Sequence, residues 1–146
     1  MPAQTPVSAH VETFGIIFFA RMVDKIRLQA RGVLPPGYHL GVSGDPTAFD
    51  VRFCRFWEVS YDEIAAKTLE GATTEEVFRH AFRNRTPPTD IQILVWNAFL
   101  SKRGWRDTGT PGLIAGKAAN GLADRADIQT YVDLQDVEEG RAPKFP

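Results

Sequence analysis

Arg21, Asp24 and Lys25 are the residues whose types could do chemistry together. Asp24 could give or take a proton, and the two cations could hold an anionic substrate beside it. The same three could instead form a partly buried ion-pair network, with Arg21 and Asp24 at i,i+3. Helical spacing puts them on one side, flanked by Ile17 and Leu28 and opposite Phe19, Val23 and Ile26. They sit mid-helix, where the helix dipole gives no reason for charge. A second set is Trp105-Arg106-Asp107, directly after Gly104. An indole, a cation and an anion in a loop could form a recognition patch. The favoured reading is the plainer one, in which Trp105 closes the core and Arg106 pairs with Asp107 or a neighbour. These six are the candidate binding residues, and none is assigned a catalytic role.

Other chemistry-bearing residues have plainer explanations. Six bases (Arg79, Arg83, Arg85, Lys102, Arg103, Arg106) stand against one acid, Asp90, with Trp96, Phe99 and Trp105 between them. This could be a nucleic-acid surface. However, most of these bases fall at the ends of expected helices, where cations are favoured, and Asp62, Glu63, Glu75, Glu76, Asp90, Asp124 and Asp127 mirror them at helix starts. Nucleic acid is therefore not the expected partner. Cys54 lies among Phe53, Phe56 and Trp57, which points to an inert buried thiol. His10, His39 and His80 have no metal-ligand spacing. Gly41-x-x-Gly44 lacks the strands of a KH loop. Gly112-x-x-x-Gly116-Lys117-Ala118 is one residue short of a phosphate loop and has alanine where magnesium needs a hydroxyl. Asp133, Asp136, Glu138 and Glu139 lack calcium-loop spacing and read as a solvated face and tail. No metal and no cofactor is expected.

The elements that must position these residues are helical. Ser60-x-x-Glu63, Thr73-x-x-Glu76 and Thr89-x-x-Gln92 each fit a capping box, and Thr110-Pro111 fits an N-cap followed by proline. Gly71, Asn84, Gly104 and Gly121 supply stops. The spacing predicts helices over 14–31, 61–70, 74–83, 90–103, 111–120 and 124–137. A further aromatic stretch, 46–59, reads as a helix capped by Asp45 or Thr47, with a strand over 51–56 as the alternative. The fold expected is all-α: a compact single-domain bundle of about six to seven short helices. Residues 1–12 are expected to be a flexible N-terminal segment, 13–141 one helical domain and 142–146 a flexible tail.

Bulk properties narrow the function classes. The chain has 146 residues and a formal net charge of −1, so nothing pulls it globally toward nucleic acid or anionic membrane. One cysteine allows no internal disulfide and suits a reducing compartment. The longest apolar run, Phe14 to Ala20, is too short to cross a bilayer and lacks signal-peptide flanks. The expected place is the cytoplasm.

Four segments carry a resemblance: Ala20 to Arg27 (ARMVDKIR), Trp96 to Phe99 leading into Lys102 to Asp107 (KRGWRD), Ala123 to Thr130 (ADRADIQT), and Glu139-Gly-Arg141. In these the chain resembles an uncharacterised bacterial domain-of-unknown-function family. The resemblance implies a small single-domain bacterial protein, with no activity and no functional residues to carry over.

The functional reading is a small cytoplasmic helical binding or interaction module, its partner a protein or a small anionic ligand. The first alternative is an enzyme or small-anion binder using Arg21, Asp24 and Lys25. The second is a nucleic-acid binder using the bases from Arg79 to Arg106.

Overall fold

In the computed structural model, which describes residues 2–41 and 44–145, the chain opens with a short hairpin and continues through seven helices. Strand β1 (Glu12–Thr13) pairs antiparallel with β2 (Ile16–Ile17), Glu12 opposite Ile17 and Thr13 opposite Ile16. The helices are α1 (Phe19–Ala30), α2 (Phe49–Trp57), α3 (Tyr61–Leu69), α4 (Thr74–Ala81), α5 (Asp90–Lys102), α6 (Thr110–Ala119) and α7 (Tyr131–Glu138). The all-α expectation holds. The chain divides into two compact units, one up to Trp96 and one from Asn97 onward.

The start of the first helix is a correction. Phe14 and Gly15 both have positive φ, the requirement of a two-residue hairpin turn, and Phe18 is left-handed as well. Helix α1 therefore begins only at Phe19. An apolar run this short has the same appearance in a buried hairpin as in a buried helix. At the other end, α7 starts at Tyr131 rather than Asp124. Thr130 is the real cap there. Its hydroxyl accepts the Asp133 N–H at 3.0 Å, and the Asp133 carboxylate accepts the Thr130 N–H at 3.1 Å. The expected boxes at Thr73/Glu76 and Thr89/Gln92 form reciprocally, and Ser60 caps α3. Neither Asp45 nor Thr47 caps α2; the Asp45 carboxylate accepts the N–H and hydroxyl of Thr47 instead.

In the first unit α3 packs against α1 and α4. Its core is a lattice of aromatic rings. Phe53 meets Phe19 at 5.7 Å and Trp96 edge-on at 5.3 Å, while Phe78 stacks on Phe82 at 4.0 Å. The buried Trp96 indole donates to the Ile17 carbonyl at 3.1 Å, which ties α5 to the hairpin. The second unit is built on Leu113, Ile128 and Leu134, with Leu122, Tyr131 and Val137 packed around them.

Candidate functional site

The charges of α1 are turned to internal use. Asp24 and Arg21 hold the two backbone groups of one residue. The Val7 N–H donates to Asp24 Oδ2 at 2.8 Å, and the Arg21 guanidinium donates to the Val7 carbonyl at 3.0 Å. At Val7, outside any strand, both backbone groups are thus satisfied by side chains of a helix. Lys25 is only 4% exposed, and its Nζ donates to Asp50 Oδ1 at 2.6 Å and to the His39 carbonyl at 2.7 Å. The other Asp50 oxygen accepts the Gly41 N–H at 2.9 Å. Gly41 is left-handed, and a Cβ there would lie 2.5 Å from the Tyr61 ring, so only glycine fits. Sequence reasoning found Lys25 but missed Asp50, its partner 25 positions on. A lone acid in the first turn of a helix looks like ordinary dipole complementarity, and nothing in the spacing links it to α1.

The second candidate set is arranged differently. Asp107 folds under its own loop. Both its oxygens accept the Gly104 N–H at 3.1 Å, and Oδ1 also accepts the Gly109 N–H at 2.8 Å. Arg103 lies 3.4 Å away. Desolvation pushes the Asp107 carboxyl upward, but the Gly104 and Gly109 amides and Arg103 outweigh it and hold the group below its ordinary range. Thr110 completes the frame, accepting from the Asp107 N–H at 3.0 Å and donating to the Gly104 carbonyl at 2.8 Å. Thr110 is thus the first residue of α6 rather than its cap; Gly109 takes the cap position. On the outside of this frame Trp105 is 48% exposed and the Arg106 guanidinium lies 5.7 Å from its ring centre. Arg106 has φ +51°, a conformation that costs a side-chain-bearing residue about 1–2 kcal/mol. The plainer expectation for this loop is corrected in two points: Trp105 does not close the core, and Asp107 pairs with Arg103, while Arg106 lies against its neighbour Trp105.

Most of the basic cluster is engaged. Arg83 forks onto Glu63 at 3.1 and 3.2 Å and holds that carboxyl below its ordinary range. Arg85 donates to the Trp57 carbonyl, and Arg79 lies over the Phe14 ring at 5.1 Å. Lys102 and Arg106 carry no ion pair among the described residues.

The glycine motif near a phosphate loop also has a structural explanation. A Cβ at Gly112 would meet the Tyr131 hydroxyl at 2.3 Å, and Lys117 donates to the Arg125 and Ile128 carbonyls at 2.7 and 3.1 Å. Residues 42 and 43, inside the Gly41-x-x-Gly44 pattern, lie outside the described residues. The acidic stretch is not a solvated face throughout, since Asp133 and Asp136 are buried. A recess of about 290 Å³ is lined by Cys54, Arg55, Val59, Ser60, Tyr61 and Asp62 and holds none of the candidate residues. Burial, with Asp50 nearby, pushes the Cys54 thiol up to about 12 and raises the Tyr61 phenol too, so neither supplies an anionic nucleophile at neutral pH. Among the described residues no cluster of His, Cys, Asp and Glu could hold a metal ion, and no helix is long and apolar enough to cross a membrane.

Residues 3–141 match the family described as a domain of unknown function, DUF5069. The chain belongs to the DUF5069 family. No curated protein matches it. The DUF5069 match covers both charged sets, the α1 cluster and the Trp105 loop, and both units of the fold.

Proposed function

We propose that this chain is a protein-interaction module, at work in the cytoplasm, whose recognition surface is the Trp105–Arg106 loop. The observation that carries the reading is the loop itself. A half-exposed tryptophan and an arginine are held outward by a frame of hydrogen bonds from Asp107 and Thr110. Tryptophan and arginine are the residues that most often dominate binding energy at protein interfaces. A surface fixed before contact also loses less entropy on binding. The enzyme reading has less support, because Arg21, Asp24 and Lys25 are engaged with Val7, His39 and Asp50. A nucleic-acid role has less support for the same kind of reason, since Arg83, Arg85 and Arg103 are engaged internally.

Photo-crosslinking tests the proposal. A benzoylphenylalanine in place of Trp105 should give discrete protein adducts in cells, and these should vanish when Arg106→Gly is added. The same probe in place of Leu69, which is more open to solvent than Trp105 and lies on α3, should give none of them. No adduct at position 105, or the same adducts from both positions, would refute the reading.

A further inference from the structure

We infer that the partner of this loop is an acidic protein segment, which sets carboxylates on Lys102 and Arg106 around an apolar side chain seated on Trp105. The inference rests on the interaction reading above and adds the partner's chemistry. Three observations carry it.

The first is placement. The Trp105 N–H donates to the Lys102 carbonyl at 2.9 Å, so ammonium, indole and guanidinium all leave one turn of chain. The second is charge. The acid next in sequence, Asp107, is turned under the loop and committed to Gly104, Gly109 and Arg103. Lys102 and Arg106 have no carboxylate among the described residues, and both are exposed. Two uncompensated cations beside an open aromatic face attract a partner that brings acids and something to pack.

The third is the backbone at Arg106. Nine left-handed positions in the described chain are glycines. A glycine at 106 would hold the same turn with less strain. Among the described residues the polar contact of the arginine side chain is with the Trp105 ring, which at an exposed site is worth less than the strain it sits on. Strain retained at an exposed cation points to a use outside the molecule. A single-stranded nucleic acid would also stack on Trp105, but it needs a track of free cations along its backbone. The second unit carries as many acids as bases, and its Arg103 is already paired.

The test uses the emission of Trp105. Trp57 and Trp96 are buried, so Trp105 is the indole a quencher reaches. The full chain is titrated with the peptide Glu-Asp-Glu-Phe-Glu-Asp-Glu, with the same peptide carrying lysine at every acidic position, and with oligothymidylate. Saturable binding and protection of Trp105 from acrylamide are expected with the acidic peptide alone, weakening as salt rises. Arg106→Gly should weaken it about tenfold, the value of one charge-assisted contact. Lys102→Ala should weaken it less. No saturation at millimolar peptide, equal affinity for the lysine peptide, no change in Arg106→Gly, or tighter binding of oligothymidylate would each overturn the proposal. Adducts at position 105 without acidic-peptide binding would leave the interaction module standing and remove only this partner chemistry.

Discussion

The α1 cluster and the Trp105 loop carry the same kinds of charge and have opposite fates. In α1 all three side chains turn to backbone or to a buried partner: Arg21 and Asp24 to Val7, Lys25 to His39 and Asp50. In the loop Asp107, though exposed, is taken up by the Gly104 and Gly109 amides and by Arg103, while Trp105 and Arg106 stay open to solvent. The difference lies in what surrounds each set. Greasy neighbours bury α1, and buried charges must find partners or neutralise. The loop stays wet, so its indole and guanidinium can remain uncommitted at little cost.

Four substitutions can break or sharpen this contrast. Asp50→Ala should have the largest effect. It leaves Lys25 charged and buried, a loss of about 3–5 kcal/mol read by denaturant or thermal unfolding. Joining Lys25→Met to Asp50→Leu should recover part of it, because no charge is left behind, although the Gly41 N–H and the His39 carbonyl lose their partners. A loss no larger than a surface pair gives would show that the α1 cluster is not a buried structural network.

Asp24→Ala comes next. It strips the Val7 N–H of its acceptor in a half-exposed place, so a loss of about 1–2 kcal/mol is expected. Amide exchange at Val7 should speed up at the same time. Unchanged exchange there would separate Asp24 from the backbone it holds.

Asp107→Ala should cost about 1–2 kcal/mol at neutral pH, like loss of a helix cap. The pH dependence gives this prediction a sign. The folded carboxyl lies below its ordinary value of 3.8, so its contribution is full above that value. As pH falls through the lower, folded value, the contribution is lost. Wild type and Asp107→Ala should therefore converge in stability only below about pH 4. A gap that persists there would mean the loop is held by something other than the carboxylate.

Arg106→Gly should have the smallest effect, and in the opposite direction. Release of left-handed strain is worth about 1–2 kcal/mol, the added freedom of glycine in the unfolded chain returns about 0.4–1, and the lost contact with Trp105 returns about 0.5 more. A net gain of no more than a few tenths of a kcal/mol in stability is expected. Loss of stability would assign Arg106 a structural duty and weaken the case for a recognition surface.

Much of the fold was readable from short-range chemistry. Ser60, Thr73 and Thr89 cap helices where their spacing says, and Gly71, Gly104 and Gly121 adopt the left-handed turn their positions call for. These are contacts within a few residues, and the chain carries them wherever it folds. The hairpin at Phe14–Gly15 was not readable, because an apolar run of that length has no unique period. The candidate residues were picked out by equally local signals, charges in an apolar helix and a tryptophan after a helix stop, which mark a residue as unusual without saying what it does.

What those residues do was decided by tertiary structure alone. Asp50 reaches Lys25, and Val7 reaches Asp24, across separations of 25 and 17 residues. Asp107 had Arg106 beside it and took Arg103 and two amides instead. Residue type and local spacing fix which groups carry charge and where a helix begins. Whether a charge is spent inside the protein or kept for a partner depends on which distant backbone groups the fold brings within about 3 Å, the reach of a hydrogen bond.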